Sequence, residues 1–242
     1  MNWKDEGSFI WNSKNSRDFG LYMAKAPSIS RPARKQEVVS VPGRNGDIII
    51  QHDAWENRTV EMQVFSFGSL SDPEMRFNAI HNWLKTPGYR RLEDSFNPDH
   101  YMIAYYPGGD NIETLAEQAE CGSLTFNAQP QRFLKSGERS ISLTSGQKLR
   151  NPTEFDALPQ ITIKGTGVAS LQVGDYVIAI SEIGGEIVLD SAIQDAYADR
   201  GATNRNSSVS LTDFPVLSGT TEISWSGDGI TGVSIAPNWW EL

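Results

Sequence analysis

Histidine and cysteine are the side chains that most often carry out chemistry in proteins, and this chain holds three histidines and one cysteine in 242 residues. His52, His81 and His100 are scattered, and none has the spacing of a zinc-binding HExxH motif. His81 falls on the apolar side of a predicted helix, where we expect a packed histidine. Cys121 lies in the acidic stretch "AEQAECGS", which disfavours a reactive thiolate. We therefore predict no catalytic residue, no metal site and no intramolecular disulfide.

Carboxylates are a second source of chemistry, since two of them in one cleft can hydrolyse a glycosidic bond. Glu113, Glu117 and Glu120 would share one face if residues 112–120 formed a helix. The stretch that comes next, "SLTFNA", favours a strand, and the sequence leaves the secondary structure of 110–122 open. We interpret the three glutamates as a solvated face rather than as catalytic acids.

Two glycine-rich stretches resemble ligand-binding loops. In "SGDGI" (226–230), Asp228 is the only carboxylate, so a hairpin turn explains the stretch better than a calcium loop does. In "SVPGRNGDI" (40–48), a phosphate-binding loop would require a helix to begin directly afterwards. The flanks "QEVVSV" (36–41) and "DIIIQ" (47–51) are typical of strands instead. We predict a β-hairpin here and no bound cofactor.

The predicted turn of this hairpin consists of Pro42, Gly43, Asn45 and Gly46. Asn-Gly is the strongest short signal for a two-residue β-turn, in which both central residues adopt positive φ. We therefore expect Asn45 and Gly46 to form the tip of the hairpin.

The elements around these residues indicate a mainly β protein with one clear helix. "TVEMQVFSF" (59–67) alternates apolar and polar residues as a strand does, and "YRRLED", "HYMIAYY" and residues 123–128 also favour strands. In "DPEMRFNAIHNWLKTPG", Asp72 is the expected N-cap and Pro73 the first helical residue, and Pro87 ends the helix.

Composition excludes several classes of function. The net charge of −9 and the pI near 4.9 are wrong for a protein that binds nucleic acid by neutralising phosphates. No apolar stretch approaches the ~18 residues of a membrane span, and "MNWKDEGSFIW" does not resemble a signal peptide. We expect synthesis and folding in a cytoplasm. Residues 14–44 are locally basic, with seven basic and two acidic side chains.

We predict two domains, because 242 residues exceed the usual size of one. The first spans residues 1–137, a polar and turn-rich linker spans 138–150, and the second spans 151–242. Short apolar runs recur through the second domain at intervals of roughly ten residues with glycine-rich turns between them, which indicates an all-β sandwich.

The seven tryptophans also allow a carbohydrate-binding module, because sugars stack on exposed indole rings. Trp239 and Trp240 are adjacent, and neighbouring side chains of a strand point to opposite faces. We expect one of the two to be buried and the other to cover a neighbouring side chain.

The order of features resembles the distal tail protein (Dit) family of long-tailed phages and prophages of Gram-positive bacteria. Five stretches carry the resemblance: "SRDFGLYMAKAPSISRPARKQEVVSVPGRNGDI", "IHNWLKTPGYRRLEDSFNPDHYMIAYY", "GSLTFNAQPQRFLKSG", "NPTEFDALPQITIKGTG" and "EISWSGDGITGVSIAPNWW". The resemblance implies a ring-forming N-terminal domain with one helix, a galectin-like C-terminal β-sandwich, and no enzyme activity.

The resemblance further implies a homo-hexamer at the virion tail tip. Such a ring joins the tail tube protein to the tail-tip hub protein, of the tail-associated lysin type, and its outer domains can hold receptor-binding proteins. Ring closure needs two different complementary patches on each subunit. Our candidate interface residues are Arg31, Arg34, Lys35 and Arg44 of the basic segment. The alternatives are a free cell-wall saccharide-binding module, which would be monomeric, and a glycosidase.

Overall fold

The computed structural model describes residues 7–67, 73–109, 112–116, 119–210 and 213–242. The chain forms two compact units, residues 1–132 with Leu242, and residues 133–241. Both units consist mostly of β-strands, which confirms the predicted fold class.

The first unit contains eleven strands in the described residues, of which the last continues into the second unit. They are β1 (Phe9–Trp11), β2 (Lys14–Asn15), β3 (Leu21–Met23), β4 (Ser28–Ile29), β5 (Arg34–Val39), β6 (Ile48–Trp55), β7 (Arg58–Phe67), β8 (Arg90–Asp94), β9 (His100–Tyr105), β10 (Ile112–Ala116) and β11 (Ala119–Leu134). Helix α1 spans Pro73–Leu84, and a short 3-10 turn spans Ser16–Phe19. The predicted helix is therefore confirmed, while its expected N-cap Asp72 lies outside the described residues.

The main sheet of this unit has the order β2-β1-β8-β9-β11-β7-β3, with β4 paired to β7 and β10 paired to β11. Strand β3, at one end of this order, also contacts the residues that precede β1, because the N–H of Met23 donates to the carbonyl of Gly7, 2.8 Å away. Alternate residues of each strand then face one interior. In the β7–β11 pair, for example, Val60 lies opposite Phe126 and Met62 opposite Leu124, and all four are fully buried.

Helix α1 contributes to this core through Ile80, Trp83 and Leu84. The Trp83 ring stacks on Phe19 with centroids 4.4 Å apart, and its indole N–H donates to the carbonyl of Trp11 at 3.0 Å. These contacts explain why the helix packs against the sheet rather than standing free.

Residues 112–116 and 119–122, whose secondary structure the sequence leaves open, form strands. Glu113 lies opposite Cys121 in the β10–β11 pair, and Cys121 lies opposite Phe65 of β7. The cross-strand partners supplied by β7 outweigh the local helical preference. The common helical face of the three glutamates does not form, and Glu117 is outside the described residues.

Strands β5 and β6 form a separate two-stranded antiparallel sheet. A two-residue turn of the kind expected at its tip occurs elsewhere, between β1 and β2. There Asn12 and Ser13 have φ of 48° and 65°, and Trp11 lies opposite Lys14. Two successive positive φ angles match the right-handed twist of a tight hairpin.

The second unit begins with the end of β11 and contains twelve further strands in its described residues. They are β12 (Ile141–Leu143), β13 (Gln147–Arg150), β14 (Gln160–Gly165), β15 (Ala169–Val173), β16 (Tyr176–Ile180), β17 (Gly185–Asp190), β18 (Asp195–Ala198), β19 (Thr203–Asn204), β20 (Val209–Ser210), β21 (Thr220–Ser226), β22 (Ile230–Ala236) and β23 (Trp240–Glu241). Helix α2 is the single turn Lys135–Glu138, and short 3-10 turns span Asp199–Gly201 and Asn206–Ser208.

These strands form a β-sandwich. One sheet has the order β12-β22-β14-β17-β18-β19 and the other the order β13-β21-β15-β16-β20, while β23 pairs with β11. Side chains of both sheets share one core, including Ile161 and Ile187 from the first sheet and Leu171 and Ile223 from the second. Alternation along each strand separates this core from the outer faces.

The segment 138–150, which we expected to be a linker, contains β12 and β13. Strand β12 pairs with β22 and β13 pairs with β21, so each belongs to a sheet of the sandwich. Leu143 is buried in the sandwich core, and Ile141 and Leu149 pack against it. These three apolar side chains, spaced among polar residues, are what a half-buried strand requires.

Candidate functional site

The β5–β6 hairpin is the most unusual surface of the first unit. Val38 lies opposite Ile49, Val39 opposite Ile48 and Glu37 opposite Ile50. An isolated two-stranded hairpin is marginally stable in water, because it has no second layer to bury its apolar side chains. In the single chain these apolar side chains remain exposed to water.

The apolar residues lie on both faces of the hairpin. Val38 and Ile49 share one face and are 55% and 57% exposed, while Ile48 and Ile50 share the other and are 38% and 46% exposed. A hairpin that only covered its own domain would be apolar on one face. Exposed apolar side chains gathered in one place are typical of interaction surfaces. We call Val38, Ile48, Ile49 and Ile50 the hairpin patch.

The loop between the strands turns at Pro42 and Gly43. The N–H of Arg44 donates to the carbonyl of Val41 at 3.2 Å, and Gly43 has φ of 82°. Proline followed by a positive-φ glycine is the pattern of a type II turn. Gly46 also has a positive φ of 81°, but Asn45 is not among the residues with positive φ. The expected Asn45–Gly46 turn with both φ positive is therefore wrong, since proline fixes the turn three residues earlier.

The four candidate interface residues are all exposed, on or next to the hairpin. Arg31 precedes β5, Lys35 lies on β5 and Arg44 lies in the loop. The guanidinium of Arg34 lies over the Trp55 ring, 4.5 Å from its centroid. No carboxylate of the described residues pairs with Arg31, Lys35 or Arg44, so their charges are available to another molecule.

The structure separates the residues that could do chemistry. His52 is exposed on β6, whereas His81 on α1 and His100 at the start of β9 are half-buried. Asp228 is exposed in the turn between β21 and β22. Across the described part of the chain, no three His, Cys, Asp or Glu side chains are close enough to hold a metal ion.

Four of the described tryptophans pack against the protein rather than form an open platform. Trp11 and Trp83 are buried in the first unit and Trp239 in the second. Trp240 is half-buried, stacks on Phe155 with centroids 4.5 Å apart, and donates its indole N–H to the carbonyl of Asp156. The expectation for the adjacent pair is thus confirmed: Trp239 is buried, and Trp240 covers a neighbour.

Sequence reasoning identified the hairpin but not its exposed apolar surface. Three successive isoleucines predict only a strand, because their β-branched side chains say nothing about which face is covered. The available signal was that consecutive residues of both strands are apolar, so a two-stranded sheet must carry them on both faces.

Comparison with solved structures finds a protein of similar fold. The chain is similar to the Dit protein (gp 19.1) of phage SPP1, whose crystal structure is described as a paradigm of the hub adsorption apparatus in phages that infect Gram-positive bacteria. The TM-score is 0.69, with 12% identity, and the match covers 98% of this chain and 99% of that one. The resemblance found in the sequence is therefore confirmed at the level of the fold.

No family model matches the sequence, and no curated protein matches it either. Among the described residues, the longest helices fall short of what crossing a lipid bilayer demands.

Proposed function

We propose that this protein is a structural component of a phage tail tip, in which six copies form a ring. The residues 1–132 unit forms the ring and the β-sandwich unit faces outward. The ring joins the tail tube protein to the tail-tip hub protein of the tail-associated lysin type. In this proposal the protein is made in the host cytoplasm, has no enzyme activity and works in the virion. The full-length fold similarity to a phage hub adsorption protein supports this role.

The observation that carries the ring proposal is the hairpin patch. Each of its four side chains is between 38% and 57% exposed in the single chain. Burying the exposed half of a valine or isoleucine contributes about 1 kcal/mol. The patch therefore supplies roughly 4 kcal/mol per contact before the cost of association, which is an upper estimate. A second copy of the same chain is a partner that is present at the same concentration as the chain itself. We therefore assign the contact to a neighbouring copy.

The basic residues on and next to the hairpin indicate which kind of surface it contacts. A closed ring is built from heterologous contacts, so the hairpin of one copy must meet a different surface on the next. Arg31, Lys35 and Arg44 have no acidic partner within the described chain, and the whole chain has a net charge of −9. An acidic surface on the neighbouring copy would complement them, and charge complementarity fixes the register of a contact.

The proposal is tested by the mass and symmetry of the purified full chain. Light scattering coupled to size exclusion is expected to give six times the chain mass of 26.8 kDa, and electron microscopy a six-fold ring. A dimer, or a monomer at every concentration reached, would overturn the ring. A monomer that binds cell-wall polysaccharide would favour the carbohydrate-binding alternative.

The hairpin contact is tested by a paired substitution, Val38→Thr with Ile49→Thr. Threonine keeps the β-branched shape and the strand preference but removes apolar surface from one face. The expected result is a shift from ring to monomer with an unchanged circular dichroism spectrum. Val177→Thr is the control, because Val177 is a strand valine of the β-sandwich that is also more than half exposed. A ring that persists in the double variant would remove the hairpin from the interface.

The tail partners are tested separately by mixing the purified ring with tail tube protein and with hub protein. Each is expected to add to one end of the ring and to give a stack in electron micrographs. Receptor-binding proteins are expected on the outer units. If neither tube nor hub protein associates with an intact ring, the joining role is wrong even though the ring is right.

A further inference from the structure

A cleft of about 780 Å³ opens on the β-sandwich unit. This volume lies in the range of roughly 300–1,000 Å³ that ligand sites occupy. The cleft lies where the β15–β16 turn approaches the beginning of β21, and Lys148 of β13 and Asp156 complete it. None of the residues discussed for ring assembly lines it, so the substitutions that test the ring and those that test the cleft are separate.

Most of the residues that line the cleft are polar. Asp156, Asp175 and Glu222 bring carboxylates, while Ser218 and Thr220 bring hydroxyl groups, and all five residues are exposed. The ammonium of Lys148 lies 3.5 Å from a carboxylate oxygen of Glu222, and both side chains remain more than half exposed.

The cleft is also lined by buried Val173 and Thr221 and by the half-buried Tyr176. The cleft therefore offers acceptors, donors and an aromatic edge within one space.

The cleft is held by paired backbone rather than by a loose loop. Lys148 and Glu222 lie opposite each other in the β13–β21 pair, and Val173 lies opposite Tyr176 in the β15–β16 pair. The N–H of Gly174 donates to the carbonyl of Glu222 at 2.8 Å, which ties the β15–β16 turn to β21. Sites built on paired strands keep their geometry without a ligand.

This chemistry narrows the class of ligand. Three carboxylates against one ammonium repel anions. The described residues contain no group of three side chains able to hold a metal ion, which argues against a divalent cation. A wholly apolar ligand would leave the carboxylates and hydroxyls without partners. A neutral molecule rich in hydroxyl groups satisfies all of them, and its C–H face can pack on Tyr176.

We propose that this cleft binds a neutral oligosaccharide. Asp175 and Asp156 accept hydrogen bonds from sugar hydroxyls, Thr220 and Lys148 donate to sugar oxygens, and Tyr176 packs against one ring face. The expected affinity is weak, since the cleft is open and its polar groups are solvated before binding.

The test uses ligand-observed saturation-transfer NMR on the full chain with three neutral trisaccharides of different linkage: cellotriose, maltotriose and N,N′,N″-triacetylchitotriose. At least one is expected to show transfer. Asp175→Ala is expected to weaken that binding about tenfold, because a hydrogen bond to a charged group is involved. Thr220→Val should weaken it without changing the charge. Asp228→Ala, which removes an exposed carboxylate outside the cleft, should leave the binding unchanged.

Two results would overturn the proposal. One is the absence of transfer to all three trisaccharides. The other is equal binding by Asp175→Ala, Thr220→Val and Asp228→Ala, which would place the sugar elsewhere on the protein.

Discussion

The guanidinium carbon of Arg34 lies 4.5 Å from the centroid of the Trp55 ring, and the two residues face each other across the open end of the β5–β6 hairpin. Next to them the register shifts between Arg34 and Gln36, so the ladder is interrupted at this point. The stacked pair therefore closes the end of the hairpin where backbone pairing is irregular.

Replacing Arg34 should loosen the base of the hairpin. Arg34→Gln removes the cation–π contact, which is worth about 0.5–1 kcal/mol at an exposed site. Faster amide hydrogen exchange is expected in β5 and β6, with no change in the β7–β11 pair. Lys35→Gln removes the same charge from the next residue and should leave exchange unchanged. Equal exchange in both variants would mean that the stacking does not stabilise the hairpin.

Reversing the charges of Arg31, Arg34 and Lys35 to glutamate should convert the ring to monomers in light scattering. Arg31 and Lys35 have no carboxylate partner in the described chain, and the lost Arg34–Trp55 contact is worth only about 0.5–1 kcal/mol, so the fold of a single copy should survive the reversal. The matched control reverses Arg139, Arg150 and Arg200, which are exposed on the β-sandwich unit. An unchanged oligomer in the first variant, or equal dissociation in both, would exclude a specific role for the basic segment.

The type II turn makes opposite predictions for two neighbouring loop positions. Gly43 has φ of 82°, where a side chain costs about 1–2 kcal/mol, so Gly43→Ala should open the hairpin and weaken assembly. A methyl group there would meet no atom within 4 Å, so the cost is one of backbone conformation alone. Asn45 does not adopt positive φ, and Asn45→Val should therefore be tolerated. Hydrogen exchange of β5 and β6 in the two variants decides between the turns; a larger effect of Asn45→Val would restore the Asn45–Gly46 turn.

The sequence predicts an element well when the residues that determine it lie close together in the chain. Helix α1 was predictable because Pro73 and Pro87 bound it within one short stretch. Residues 112–122 were not, since their conformation is decided by β7, whose Phe65 lies opposite Cys121 from more than fifty residues away. The exposure of Ile49 was likewise unpredictable, because an apolar strand has the same sequence pattern whether or not another layer covers it.

The saccharide cleft could not have been predicted at all. Lys148, Asp175 and Glu222 belong to three strands or turns that come together only through the pairing of β13 and β15 with β21. Their spacing in the sequence does not indicate such a site. Lysine, aspartate and glutamate are common on the surface of any acidic protein.

Tyr197 gives the β-sandwich a dependence on alkaline pH. Its hydroxyl donates to Asp190 at 3.2 Å and accepts from the Gln160 amide at 2.8 Å. Burial raises the pKa of Tyr197 above its usual 10.0, and the negative charge of Asp190 adds to the shift. A raised pKa favours the protonated form in the fold, so this stabilisation is present below pH 10 and lost as the pH rises through the folded value.

Urea unfolding at a series of pH values tests this contribution. The free-energy difference between wild type and Tyr197→Phe should be constant below pH 10 and should shrink above it. Comparing the two proteins cancels the titration of other groups. A difference that grows with pH would mean that the ionised form of Tyr197 is the one that the fold stabilises.

The two buried tryptophans of the first unit should respond differently to the same substitution. The indole N–H of Trp83 donates to the Trp11 carbonyl at 3.0 Å, whereas the N–H of Trp11 has no acceptor among the described residues. Tryptophan to phenylalanine removes a similar volume at both positions. Trp83→Phe also loses a buried hydrogen bond, while Trp11→Phe removes a donor that is already unpaired.

We therefore expect Trp83→Phe to destabilise the first unit by about 1–3 kcal/mol more than Trp11→Phe does. The measurement is urea unfolding followed by circular dichroism. Because the two units need not unfold together, the transition to compare is the one whose midpoint both substitutions shift. A larger loss of unfolding free energy in Trp11→Phe would contradict this prediction. It would mean that the packing around the Trp11 indole outweighs its unpaired donor, because the cost of a cavity depends on how well the surrounding core can close.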